Sequence, residues 1–176
     1  VMAKDFHGRG LLRAAVLVPW AIPTAITAKL WAFLFSEQGI VNSIFHAHVA
    51  WQKDPWAARF SIILADVWKT TPFMALLILA GLHKIPKDLY EAARMDGANA
   101  WQRFTRSTLP LAKNSIIVAV LFRMLDALRM YDLPYIMVGP NPDSPTATLS
   151  QLVVAAIRQD HVNAASALST LIFLLI

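Results

Sequence analysis

Two groups of polar and ionisable residues sit inside stretches that are otherwise apolar, and their chemistry demands an explanation. Asp66, Lys69, Thr70 and Phe73 share one face at helical spacing, and Arg123, Asp126, Ala127 and Met130 share another. An ionised group in a lipid-crossing stretch costs several kcal/mol unless it is paired or wet. Two roles fit these faces: they line a water-filled path, or they close a helical bundle as structural ion pairs. The roles are compatible, because a paired wall can border a path. At about 1.5 Å per residue, Asp66 and Arg123 lie roughly 9–10 Å below the same end of two oppositely directed runs. Asp66 is therefore expected to approach Arg123, and Lys69 to approach Asp126. The competing local pairs, Asp66 with Lys69 and Arg123 with Asp126, are each three residues apart.

Other chemistry is missing from the sequence. It contains no G-x-x-x-x-G-K-[ST] phosphate loop, no G-x-S-x-G elbow and no H-E-x-x-H helix, so neither ATP hydrolysis nor another enzymatic activity is expected of this chain. His46 and His48 are two apart, but no third ligand lies near them, and no metal site is expected. The absence of cysteine excludes disulfides, thiolate metal sites and redox pairs.

The elements that must position the charged faces read as membrane spans. Apolar residues make up 57% of 176 residues and mean hydropathy is +0.50, above an ordinary soluble domain. The expectation is an all-α integral membrane protein, a polytopic helical bundle forming one domain over 1–176. Residues 1–10 lack a signal peptide's apolar core and read as a connector arriving from upstream. Residues 11–35 are long enough to cross a core of roughly 30 Å, with kinks at Pro19 and Pro23 and Lys29 snorkelling. A loop with interfacial Trp51 and Trp56 covers 36–59, a second span covers 60–82, and a third covers 109–130.

Residues 139–162 form a further loop, whose proline-rich start leads into an amphipathic helix carrying Leu149, Leu152, Val153, Ala156 and Ile157 on one stripe. This helix should rest on a surface and not cross. Residues 163–176 begin a small-residue span of roughly 20 Å, shorter than the bilayer core, so the chain is expected to be incomplete at both ends. The net charge of +5 is concentrated between apolar runs, which points to membrane topology and not to nucleic acid. Lys84, Lys87, Arg94, Arg103, Arg106 and Lys113 cluster around 84–108, against Lys53 and Arg59 in one loop and Arg158 in another. By the positive-inside rule the 84–108 interval is cytoplasmic and the other two loops lie outside.

That interval, KIPKDLYEAARMDGANAWQRFTRSTLP from Lys84 to Pro110, reads as two short helices joined at a glycine elbow. Pro86 opens the first, Asp88 and Glu91 favour its positive end, Glu91 and Arg94 can pair, and Gly97 allows the chain to turn. Asn99 with Gln102 is an N-cap signature for the second helix, which carries Trp101 and Phe104. Taken by itself this is an amphipathic hairpin at a membrane surface. Glu91-Ala92-Ala93, Gly97 after three intervening residues, and Leu109-Pro110 further along also resemble the EAA loop in permease subunits of ABC importers. The longer string, from Ile85-Pro86 through Met95-Asp96-Gly97-Ala98 to Thr108-Leu109-Pro110, is similar to the carbohydrate-importer branch, the maltose, trehalose and glycerol-phosphate type. The resemblance extends over nearly the whole chain. Ser107 departs from it, standing where a large aliphatic residue is usual.

The resemblance implies a type I ABC importer permease fold with cytoplasmic coupling helices in a prokaryotic inner membrane. It implies a path for a sugar, such as the disaccharides trehalose or maltose, formed together with a second homologous permease. Further partners would be two ATPase subunits that bind ATP and Mg, an extracytoplasmic sugar-binding protein, and membrane lipid. No cofactor is expected in this chain. Glu91, Ala92, Ala93, Gly97, Leu109 and Pro110 would couple to the ATPase, and the two charged faces would border the sugar path. An ion-coupled secondary transporter or channel would also place charges in spans, but it leaves the Glu91-to-Pro110 string unexplained.

Overall fold

The computed structural model describes residues 9–46 and 48–176, and the expectations for residues 1–8 lie outside them. Every regular element among the described residues is helical. The order is α1 (Arg9–Ala21), α2 (Thr24–Leu34), α3 (Ile40–Phe45), α4 (Pro55–Leu82), α5 (Lys87–Met95), α6 (Ala100–Arg103), a π-helical turn (Phe104–Thr108), α7 (Leu109–Leu128), α8 (Asp132–Val138), α9 (Leu149–Arg158) and α10 (Val162–Leu175).

The expected span over 11–35 is not one kinked helix. It breaks after Ala21, and Ala14–Ala21 and Thr24–Leu34 meet at 94°. Pro19 is absorbed inside α1, whereas Pro23, with φ −53° and ψ 139°, is extended and becomes the N-cap of α2. A residue ahead of proline is itself driven out of the α region, so Ile22-Pro23 forms the corner. The second span starts earlier than 60, because Asp54 caps the helix inside the expected 36–59 loop. Its Oδ1 accepts from the Trp56 and Ala57 amides at 3.0 and 2.8 Å, and Pro55 takes the first helical position.

Among the described residues α4 is the one helix both long and apolar enough to cross a membrane, or one of two if α1 and α2 form a single broken span. The expected third span, α7, has the length but carries Lys113, Arg123 and Asp126. Between it and the next loop stands α8, a helix that residue periodicity did not reveal.

The chain forms two compact units. Among the described residues, one holds 9–18 with Thr71–Met124, the other Pro19–Thr70 with Leu125–Ile176. In the first, α4 and α7 meet through small residues. Gly81 faces Ser115, and a Cβ added at Gly81 would overlap both the Ser115 hydroxyl and its Cβ. Close backbone approach of this kind is how helices pack where lipid provides no hydrophobic drive. Gly81→Ala is therefore expected to destabilise the protein by about 1–3 kcal/mol, the usual cost of overpacking. A second change, Ser115→Gly, should recover much of the loss, as read from melting of the detergent-purified protein.

In the second unit α8 packs on α2, and α9 on α10. The core is Ala28, Phe35, Ile62, Ala65, Leu133 and Met137, ringed by partly buried Trp31, Trp51 and Met130. Phe35 stacks on Trp31 and tilts against Trp51, with ring centroids 5.5 and 5.0 Å apart. The segment joining α2 to α4 is organised by buried Asn42. Its amide donates to the Glu37 and Val49 carbonyls, both at 3.0 Å, and its Oδ1 accepts from Trp51 Nε1 at 2.8 Å. At its surface Lys53 Nζ donates to Glu37 Oε1 at 2.6 Å, which holds the Glu37 carboxyl below, and the Lys53 ammonium above, their ordinary pKa values.

Candidate functional site

The elbow is built by end-of-helix rules. α5 stops in a Schellman arrangement: the Gly97 amide donates to the Arg94 carbonyl and the Ala98 amide to the Ala93 carbonyl, both at 3.0 Å, with Gly97 at φ +75°. Asn99 and Gln102 then form a reciprocal capping box, each side-chain oxygen accepting from the other's backbone amide at 2.9 Å. Two further contacts tie the corner shut: Arg103 Nη1 donates to the Ala98 carbonyl at 2.6 Å, and the Thr108 hydroxyl donates to Tyr90 Oη at 3.3 Å.

The second short helix is not separate, as was expected, but runs on through the π turn into α7. The π turn widens the ladder, with Leu109 N–H reaching Phe104 O, just ahead of Pro110. A proline ring there would otherwise strike the Arg106 carbonyl. Ser107 lies in this turn. Glu91, Ala92, Gly97, Leu109 and Pro110 are exposed and Ala93 is half-buried. Glu91 and Arg94 form no ion pair among the described residues. The same segment exposes Leu89, Met95, Trp101 and Phe104, with Met95 88% and Trp101 71% accessible, and apolar exposure on this scale marks a surface for a partner.

The second site is a polar cavity of about 200 Å³ inside the unit formed by Pro19–Thr70 and Leu125–Ile176. α4 contributes Asp66, Lys69 and Thr70, and the end of α7 with the residues after it contributes Asp126, Arg129 and Met130. Thr24 from the start of α2, and Tyr131, Asp132 and Leu133, complete the wall. Lys69 Nζ donates to the Ile22 carbonyl at 2.6 Å, and the carboxylates of Asp126 and Asp66 act on the same ammonium. That carbonyl stands at the corner where α1 ends, because the Ile26 amide bonds to Pro23 instead. Asp126 pairs with Arg129, Oδ1 to Nη2 at 3.7 Å, a local partner absent from both sets of pairs expected above. The Thr70 hydroxyl donates back to the Asp66 carbonyl at 2.8 Å.

Five of the eight expected path residues thus share this wall: Asp66, Lys69, Thr70, Asp126 and Met130. Ala127 lies exposed beside it on α7, and Phe73 and Arg123 belong to the other compact unit. Sequence reading missed Thr24, Arg129, Tyr131, Asp132 and Leu133. Arg129 was findable, three residues beyond Asp126 on the same helix face. Tyr131 lies outside α7, and partial burial together with the neighbouring Tyr135 phenol raises its hydroxyl pKa.

The chain resembles known proteins along its whole length. The family described as "Binding-protein-dependent transport system inner membrane component" matches residues 1–176. The trehalose/maltose transport system permease protein MalF of Thermococcus litoralis is 44% identical, over all of this chain and 61% of that protein. The trehalose transport system permease protein SugA of Mycobacterium tuberculosis is 39% identical, over 98% of this chain and 56% of that one. Among solved structures, a bacterial alginate ABC transporter in complex with an alginate pentasaccharide-bound periplasmic protein superposes with a TM-score of 0.85. At 24% identity, over 99% of this chain and 64% of that one, it establishes a shared fold. The chain spans about 60% of the length of the curated relatives it matches.

Proposed function

Because the chain belongs to the family of binding-protein-dependent transport system inner membrane components, we propose that it is the transmembrane permease subunit of an ATP-driven sugar importer. The observation that carries the reading is the pairing, in one helical membrane chain, of a polar cavity with a rigid, exposed elbow. The cavity of about 200 Å³ falls below the roughly 300–1,000 Å³ of a complete small-molecule site, so it is one wall of a path that a second, related permease completes. Its carboxylates, cations and hydroxyls suit the hydroxyl rim of a sugar, and a disaccharide such as trehalose or maltose is the cargo.

The elbow faces the cytoplasm and docks on one of two ATPase subunits, which bind ATP and Mg. This chain holds neither and hydrolyses nothing. Glu91, Ala92, Ala93 and Gly97 form the contact, with Leu109 and Pro110 joining it to α7. Closure of the ATPase pair then moves α4 and α7 through the elbow. An extracytoplasmic sugar-binding protein delivers cargo on the side of residues 139–162.

Uptake of labelled trehalose, maltose, other disaccharides and glycerol phosphates, in cells with and without the full-length gene, tests the proposal. Loss of uptake of one sugar on deletion, and insensitivity to an ionophore while ATP is maintained, are the expected results. Uptake that collapses with the ion gradient at constant ATP would overturn it in favour of an ion-coupled carrier.

A further inference from the structure

The charged groups of the cavity leave one wall unexplained. Tyr131 lines it directly after Met130, yet belongs to no helix: with φ −131° and ψ −59° it is the N-cap of α8. An aromatic ring on irregular backbone keeps its position only if something outside holds it, and α9 does so from both ends. At its start Thr148, the N-cap of α9, donates its hydroxyl to the Met130 carbonyl at 2.7 Å, and buried Gln151 closes a capping box on it. At its end Arg158 Nη1 donates to Tyr135 Oη at 2.9 Å, with the guanidinium 5.3 Å from the centre of the Tyr135 ring. Tyr135 in turn stacks on Tyr131, centroids 5.0 Å apart and planes 24° apart. The space between the two tyrosines and α9 is about 40 Å³, too small for a sugar ring. The Tyr131–Tyr135–Arg158 stack is therefore a support, and Tyr131 is its one member that also lines the polar cavity.

A pyranose presents hydroxyls around its rim and C–H groups on its faces. Asp66, Lys69, Thr70, Asp126 and Arg129 can serve the rim, but none can cover a face. We propose that Tyr131 is the stacking wall of the cavity, lying against the C–H face of a pyranose ring in transit, and that Tyr135 and Arg158 are positioning residues that hold it there. The inference rests on the sugar-importer reading and assigns that site a specificity element.

Full transporter, reconstituted with its ATPases and binding protein, tests it through two rates measured together: labelled sugar moved and ATP hydrolysed. Tyr131→Phe should match the parent, since stacking needs the ring and not the hydroxyl. Tyr131→Leu, which keeps bulk without a π face, should lower sugar flux by about tenfold while ATP hydrolysis stimulated by loaded binding protein stays near the parent value. Arg158→Ala should lower flux less, and Arg158→Lys should restore part of it by donating to Tyr135 again. Parental flux in Tyr131→Leu, or a loss in Tyr131→Phe as deep as in Tyr131→Leu, overturns the stacking wall. A parent transporter that moves no pyranoside overturns the importer reading itself, and so the two failures are distinguishable.

Discussion

Gly97→Pro is expected to abolish sugar uptake while the protein still inserts in the membrane. Gly97 holds φ at +75°, whereas proline is fixed near −65°, and the substitution also deletes the N–H that bonds the Arg94 carbonyl at 3.0 Å. Both Schellman bonds would go, and with them the angle at which α5 meets α6. The local cost is about 3 kcal/mol or more. It falls on an exposed corner, so the helices on either side should survive.

Gly97→Ala separates strain from crowding. Nothing lies within 4 Å of an added Cβ, so alanine pays only the left-handed backbone penalty, about 1–2 kcal/mol. A graded series is expected in reconstituted transporter, glycine above alanine above proline, for uptake and for the stimulation of ATP hydrolysis by loaded binding protein. Glu91→Lys, which reverses charge at an exposed position of α5, should fail in the manner of proline. Normal uptake by correctly inserted Gly97→Pro would remove the elbow from the coupling path.

Lys69→Leu is expected to have the second large effect. The ammonium does two jobs in one place: it satisfies the Ile22 carbonyl left open at the α1–α2 corner, and it offsets the carboxylates of Asp126 and Asp66. Removing it leaves a carbonyl without its donor and takes one cation away from the carboxylates of Asp66 and Asp126, the latter still beside Arg129. Breaking a fully buried pair costs about 3–5 kcal/mol, and the half-buried setting of Lys69 scales this to about 1–2 kcal/mol. The melting temperature of the purified protein should fall and uptake should be lost. Adding Asp126→Asn to Lys69→Leu should recover part of the stability, because it removes one of the two carboxylates that the ammonium offset, but not uptake, because the polar rim is gone. Stability unchanged in Lys69→Leu would show that the corner does not depend on this contact.

The sequence by itself determined the features whose causes are local. Gly97 at the end of an amphipathic helix, and Asn99 with Gln102 at the start of the next, specify a turn and a cap within six residues, and the structure contains both. The same holds for the helical state of the apolar runs and for the family, whose marks lie in one contiguous string from Ile85 to Pro110. Tertiary structure decided what depends on which of several local options packing selects. Pro19 and Pro23 both disfavour helix, yet only Pro23 breaks it, where Lys69 from another helix can take the freed Ile22 carbonyl. α8 is too short for periodicity to announce, and it exists because Leu133, Pro134 and Met137 bury against α2. The cavity is the clearest case. Thr24, Lys69, Asp126 and Tyr131 are separated by more than a hundred positions at the extremes, and helical spacing can place residues on a face but cannot say which faces meet. Phe73 and Arg123 satisfy the same spacing as their neighbours and still fall in the other compact unit, because one face of a long helix can pass from one packing environment into another.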